Sequence, residues 1–159
     1  MIKESLEHRI QMMTAINHPP LLEMFVVRNG VVFKGGKRPK GIRKRENKMC
    51  FQNATRITTE LDGYEYYEGF GINKNLGIHM HHAWNTKDNV LIDSTWKDPE
   101  NCEYMGVHFP KDLLYKQLVK TGYYGLLSND ITYNFELIFE MDPELKIEFE
   151  RSIGRKFSW

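Results

Sequence analysis

Apolar residues recur at helical spacing from the start of the chain. Leu6, Ile10, Met13 and Ile16 share one face of a helix expected over residues 2–16. His18-Pro19-Pro20 ends it. Two short apolar runs, Glu23 to Val27 and Val31 to Phe33, then flank Arg28-Asn29-Gly30, and Asn-Gly between such runs predicts a hairpin. A second helix is expected over 48–61. There Cys50, Ala54, Ile57 and Leu61 fall at i, i+4, i+7 and i+11 and make one stripe. Asn47 is the expected N-cap and Gly63 the C-terminal stop. Tyr64 to Gly71 reads as an aromatic strand. After Cys102 in a polar loop over 97–103, Tyr104 to Phe109 reads as a strand. Pro110 to Gly122 reads as a helix carrying Leu113, Leu114, Leu118 and Val119. Ile131 to Phe139 fits either strand or helix, and the stretch from Pro143 is expected to be helical.

The densest pattern lies between these elements. Ile78 to Trp84 and Val90 to Trp96 are aromatic and β-branched, as suits a half-buried strand. Thr86-Lys87-Asp88-Asn89 between them tolerates tight or left-handed backbone. Pairing Asn85 with Val90 sets Trp84 against Leu91 and His82 directly across from Asp93. Opposed residues share a face, with Cβ atoms about 4.5–5.5 Å apart. A slip of one residue would send Asp93 to the other face.

Length and composition narrow the class without choosing the chemistry. The 159 residues predict one domain spanning 1–159; 41% hydrophobic and 27% charged residues are ordinary for a globular chain. Net charge is +1, so no global field selects a partner. No apolar run is long enough to span a membrane. The polar start, Met1-Ile2-Lys3-Glu4-Ser5, does not resemble a secretory leader, and Cys50 and Cys102 suit free thiols in a reducing compartment. A cytoplasmic protein is the expectation. The charge is unevenly spread: residues 34–48 hold eight cations against Glu46 alone, with glycines and a proline. This stretch is expected to be a basic mobile loop, either a solvated linker or a contact for an anionic partner. No aromatic residue is interleaved in it, which argues against single-strand stacking.

The candidate chemistry combines these elements. A thiol in the first turn of a helix sits where unpaired N–H groups favour negative charge, and Cys50 has that place. A thiol nucleophile needs a base and the base an orienter, and the hairpin offers His82 and Asp93. Backbone N–H groups at the helix end, with Asn47, Gln52 and Trp84 as further donors, are candidates for oxyanion or substrate contacts.

Cys50 opening a helix, then His82-Ala83-Trp84, then Asp93-Ser94-Thr95-Trp96, resembles the transglutaminase-like cysteine superfamily. The likeness covers residues 47–109, with Tyr66-Tyr67-Glu68-Gly69-Phe70 between Cys and His. Lys48-Met49 before the cysteine and Ser94 after the aspartate depart from the usual small residues and proline. The resemblance implies an α+β, papain/transglutaminase-like fold in which the helix bearing the nucleophile packs on an antiparallel sheet. It implies Cys50 as nucleophile, His82 as general base and Asp93 as orienter. The implied activity is that of a hydrolase or acyltransferase on an amide or related acyl bond, needing no cofactor or metal. The implied partner is a peptide, protein or other amide-bearing substrate.

Two other readings use different features. His79, His81 and His82 could serve a metal-dependent enzyme, although strand alternation puts His82 on the face opposite the other two and a third ligand, His108 or Cys102, would be needed. A non-catalytic module of the same fold could bind through the basic loop.

Overall fold

The structure is a computed structural model that describes residues 1–158. The first apolar stripe forms α1 (Ile2–Ala15), which buries Ile2 and Leu6 and leaves Ile16 exposed. The next segment differs from expectation. Residues Leu21–Asn29 form a helix, α2, not the first arm of a hairpin. Leu21, Phe25 and Val26 lie at i, i+4 and i+5 and are buried together, and Pro20 stands before the first turn. Asn29 and Gly30 both keep negative φ, so the pair makes no hairpin turn. Gly30 leaves the helix extended, with its N–H on the Val26 carbonyl at 2.8 Å. A Cβ there would fall 2.5 Å from the Val26 oxygen, so only glycine fits this helix-to-strand exit.

The strand that follows, β1 (Val31–Lys34), pairs far along the chain with β5 (Cys102–Phe109). The sheet has five antiparallel strands in the order β1-β5-β2-β3-β4, where β2 is Glu65–Asn73, β3 His79–Lys87 and β4 Val90–Ile92. The second amphipathic stripe forms α3 (Cys50–Glu60). Seven α-helices are present among the described residues, the last four being α4 (Lys111–Thr121), α5 (Leu127–Asp130), α6 (Glu136–Met141) and α7 (Pro143–Ile153). No helix among them is long and apolar enough to cross a membrane.

Strand alternation sorts the side chains into two layers. Tyr66, Phe70, Ile72, Ala83, Met105, Val107 and Phe109 join the main core beneath the helices, with Leu6, Phe25, Ala54, Ile138 and Phe149. The other face carries a smaller aromatic cluster of Trp84, Leu91, Cys102 and Tyr104, covered by Phe33, Tyr67 and Trp96. Glycines make room for it. A Cβ on Gly106 would lie 2.5 Å from Trp84 Cη2, and one on Gly71 would lie 2.6 Å from Trp96 Cη2. The two indoles can therefore lie close against the sheet.

The C-terminal helices are held by buried carboxylates at their starts, where backbone N–H groups lack partners. Glu68 of β2, fully buried, accepts from the N–H groups of Leu126, Leu127 and Ser128 and from the Tyr66 hydroxyl. Asp130 accepts from Leu137 and Ile138, and Asp142 caps α7 at Leu145 while binding Arg28.

Candidate active site

Alternation places His82 and Trp84 on the aromatic face of β3, but the hairpin register is not the expected one. Asn85 pairs with Ile92, Thr86 with Leu91 and Lys87 with Val90. The turn is two residues long: Asp88 and Asn89 both have positive φ, as the tightest hairpin loops require. The ladder is thus displaced by two residues from the Asn85–Val90 pairing. A displacement of two preserves the face. Asp93 continues toward Trp84 rather than His82, yet stays on His82's side of the sheet. The imidazole reaches it diagonally, Nε2 to Oδ2 at 2.9 Å, with both residues buried.

Asp93 leaves β4 in a tight turn and is saturated by donors. Its Oδ1 accepts from the N–H groups of Thr95 (2.7 Å) and Trp96 (3.2 Å). Its Oδ2 accepts from His82 and from the Tyr104 hydroxyl at 2.8 Å. Burial works against the carboxylate charge, but the charge and hydrogen bond of His82, the Thr95 N–H and the Tyr104 hydroxyl outweigh it and hold Asp93 below its ordinary range. His82 moves the other way. Burial lowers its pKa, but the Asp93 charge, the Asp93 hydrogen bond and Cys50 raise it further, and it is pushed up to about 9. Burial pushes the Tyr104 hydroxyl far up, with Asp93 adding to it, so it stays a donor.

Cys50 opens α3 as its first residue and is nearly buried. It lies near enough to His82 to join Asp93 in raising the pKa of the imidazole. Nε2 of His82 is engaged by Asp93, so Nδ1 is the ring nitrogen left for the thiol. β4 stops at Ile92, and the 93–96 turn takes its place beside α3. Asn53, one turn into α3, donates to Thr95 Oγ1 at 2.9 Å and to the Glu46 carbonyl at 2.8 Å. Deeper in the helix layer, the Asn85 side chain donates to the Ala54 carbonyl and to Thr58. The Trp96 ring stacks on His82 with centroids 4.1 Å apart and planes 20° from parallel. His82 and Asp93 are thereby closed off from water, and the Cys50 thiol is the most exposed of the three.

The other candidates are placed differently. Asn47 is exposed, and its side chain accepts from Lys44 at 2.5 Å. The N-cap of α3 is Met49, and no side chain caps the helix. Gln52 is half-buried in the first turn. Trp84 is buried between Tyr67, Phe33, His82 and Tyr104, and its indole N–H has no partner among the described residues. Cys102 does not lie in a polar loop. It opens β5, is buried in the aromatic cluster and donates to the Asp98 carbonyl, and burial pushes its thiol up.

Each histidine of the His79-Met80-His81-His82 run has its own acidic neighbour. His79 bonds Ser5, with Glu23 at 4.0 Å; His81 lies 3.2 Å from Glu68; His82 holds Asp93. The His81 Nε2 is close enough for charge to act but is not aligned for a hydrogen bond. Among the described residues no three His, Cys, Asp or Glu side chains converge as a metal site.

The basic stretch 34–48 past β1 has no regular element, as expected, but it is anchored rather than free. Arg38 Nη1 donates to the Trp96 carbonyl at 2.7 Å and reaches the Asp93 carbonyl at 3.5 Å. The Arg45 N–H donates to the Ser94 carbonyl at 2.7 Å, and its guanidinium pairs with Glu60. Both anchors land on the turn that carries Asp93. Lys48 then takes φ of +63°, a left-handed bend two residues before Cys50. Tyr104, Asn53 and Arg38 were not singled out from sequence. Their only signals were a tyrosine in an apolar strand, a polar residue on a helix stripe and one cation among eight.

No family model, curated protein or solved structure matches this chain.

Proposed function

We propose that the chain is a thiol enzyme of transglutaminase-like, papain-like type that cleaves an amide or related acyl bond through an acyl-enzyme at Cys50. The observation that carries this reading is the Cys50–His82–Asp93 relay. A thiol at a helix start bears on an imidazole whose far nitrogen is held by a buried, fully hydrogen-bonded carboxylate.

In this reading the Cys50 thiolate attacks the acyl carbon, with its proton on His82 Nδ1. The C–S bond forms and the carbonyl oxygen becomes an oxyanion facing the unpaired N–H groups of the first turn of α3. His82 gives its proton to the leaving nitrogen as the C–N bond breaks. Water or an amine then loses a proton to His82, attacks the thioester and releases Cys50. Asp93 holds the ring orientation and the positive charge throughout. Gln52 is the side-chain candidate for an added substrate contact, since it shares the first turn with Cys50. The basic loop runs into α3 through Lys48, two residues before Cys50, and its positive charge favours an acyl donor rich in acidic side chains.

Mass spectrometry after incubation with peptides, glycopeptides and amines tests the proposal. An acyl adduct on Cys50, absent in Cys50→Ala and insensitive to chelators, supports it. Activity that needs stoichiometric zinc and survives Cys50→Ala would overturn it.

A further inference from the structure

A large cavity lies away from Cys50, between α1, α2 and the start of β3. Its volume is about 570 Å³, within the range of small-molecule sites. Its apolar wall is Met12, Met13, Ile78 and Phe70. Its polar end is Arg9, Glu23 and His79. None of these has a role in the relay described above.

Three observations give this end a chemical character. Glu23 is a buried carboxylate whose Oε1 accepts from Arg9 Nε at 2.7 Å, while Oε2 receives no hydrogen bond from the described residues. Arg9 uses only Nε in that pair, which leaves its two terminal nitrogens as donors, and its side chain is half-exposed. His79 Nδ1 is bonded to the Ser5 hydroxyl at 2.8 Å, and its Nε2 turns toward Glu23 at 4.0 Å. Burial holds His79 below its usual range, with Glu23 opposing this and Arg9 adding to it, so burial favours the uncharged ring, whose Nε2 faces the cavity's polar end. One cavity thus presents a free carboxylate oxygen, free guanidinium nitrogens and an apolar wall side by side.

We propose that this cavity binds a free α-amino acid with an apolar side chain. The Glu23 Oε2 atom takes the ligand's ammonium group. Arg9, with the His79 N–H beside it, takes the carboxylate. The side chain lies against Met12, Met13 and Ile78, where the flexible methionines adapt to leucine- or methionine-sized groups. A cation alone would leave Arg9 unused, and an anion alone would face Glu23. The adjacent opposite charges call for a zwitterion. This site does not depend on the thiol chemistry.

Isothermal titration of the full chain with leucine, leucinamide, N-acetyl-leucine and glycine tests the proposal. Leucine is expected to bind. Leucinamide lacks the carboxylate, N-acetyl-leucine the ammonium and glycine the apolar group, and each is expected to bind at least tenfold more weakly. Glu23→Gln is expected to abolish leucine binding. Ile78→Asp changes an exposed residue, so the fold is retained, and it is expected to weaken leucine at least tenfold while leaving glycine unchanged. Equal binding of leucine and leucinamide, or of leucine and N-acetyl-leucine, would overturn the proposal. So would no heat from leucine with a correctly folded protein, or full binding by Ile78→Asp.

Discussion

The coupling between His82 and Asp93 can be read as a stability that depends on pH. Asp93→Asn keeps the shape of the side chain and removes its charge. The amide can still accept from Tyr104 or Thr95, but it can no longer hold an imidazolium. Wild-type His82 is pushed up to about 9 from an unfolded value near 6.5. A raised pKa contributes stability that is fully present below the unfolded value and is lost as pH rises through the folded one. The relevant window therefore runs from about pH 6.5 to 9.5, and at about 1.4 kcal/mol per unit the loss is about 3 kcal/mol. Asp93, held below its ordinary range, contributes in the opposite window: its share is present above about pH 3.8 and lost only in acid, so it stays constant here. At pH 6 the substitution breaks a buried charged pair and is expected to cost about 3–5 kcal/mol. By pH 9.5 wild type has lost most of the His82 contribution, and the gap is expected to shrink by about 3 kcal/mol. Urea unfolding of both proteins at pH 6, 7.5 and 9.5 measures this, and titrations common to both cancel in the difference. A gap that does not change with pH, or wild-type stability that rises from pH 6.5 to 9.5, would refute the reasoning. Under the proposed mechanism, the same variant is expected to lose at least about a hundredfold in turnover rate, since the amide no longer stabilises the His82 imidazolium.

Three further outcomes are expected. Iodoacetamide near neutral pH should label Cys50 at least about tenfold faster than Cys102, whose buried thiol is pushed up; equal labelling of the two would contradict the placement of Cys102. Gly106→Ala should lower the stability read from urea unfolding by about 1–3 kcal/mol, because its methyl would meet Trp84 Cη2 and the Glu68 carbonyl; unchanged stability would show that the aromatic layer can give way. Limited trypsin digestion should nick the basic loop at Lys40, Arg43 and Lys44, between its anchors, and faster in Arg38→Ala. First cuts at Lys34, or no effect of Arg38→Ala, would remove the anchor from the account.

Much of the candidate site was legible because period and parity survive errors of register. Alternation put His82, Trp84 and Leu91 on one face, and the stripe through Cys50, Ala54 and Ile57 put the thiol at the start of a packed helix. The proposed pairing of His82 across from Asp93 was displaced by two residues, yet the two side chains still meet, since an even displacement keeps the face. The true turn was written in Asp88-Asn89, residues that accept positive φ, but four polar residues in a row hid which two would make it. Asn29-Gly30 was misleading for a related reason. It is a hairpin signal only when both φ values are positive, and burial of Leu21, Phe25 and Val26 made the preceding segment a helix instead. What lay outside the reach of local pattern was every contact set by long-range pairing. Tyr104 meets Asp93 only because β5 lies against β2, and Trp96 covers His82 only because Gly71 leaves the sheet bare beneath it. Arg38 is one of eight cations in the loop, and its reach to the Trp96 carbonyl is set by the fold alone. A residue's period is carried by its near neighbours, so the chain alone determined the faces. Its partner is chosen by the packing of strands and loops distant in sequence, which only the tertiary structure decides.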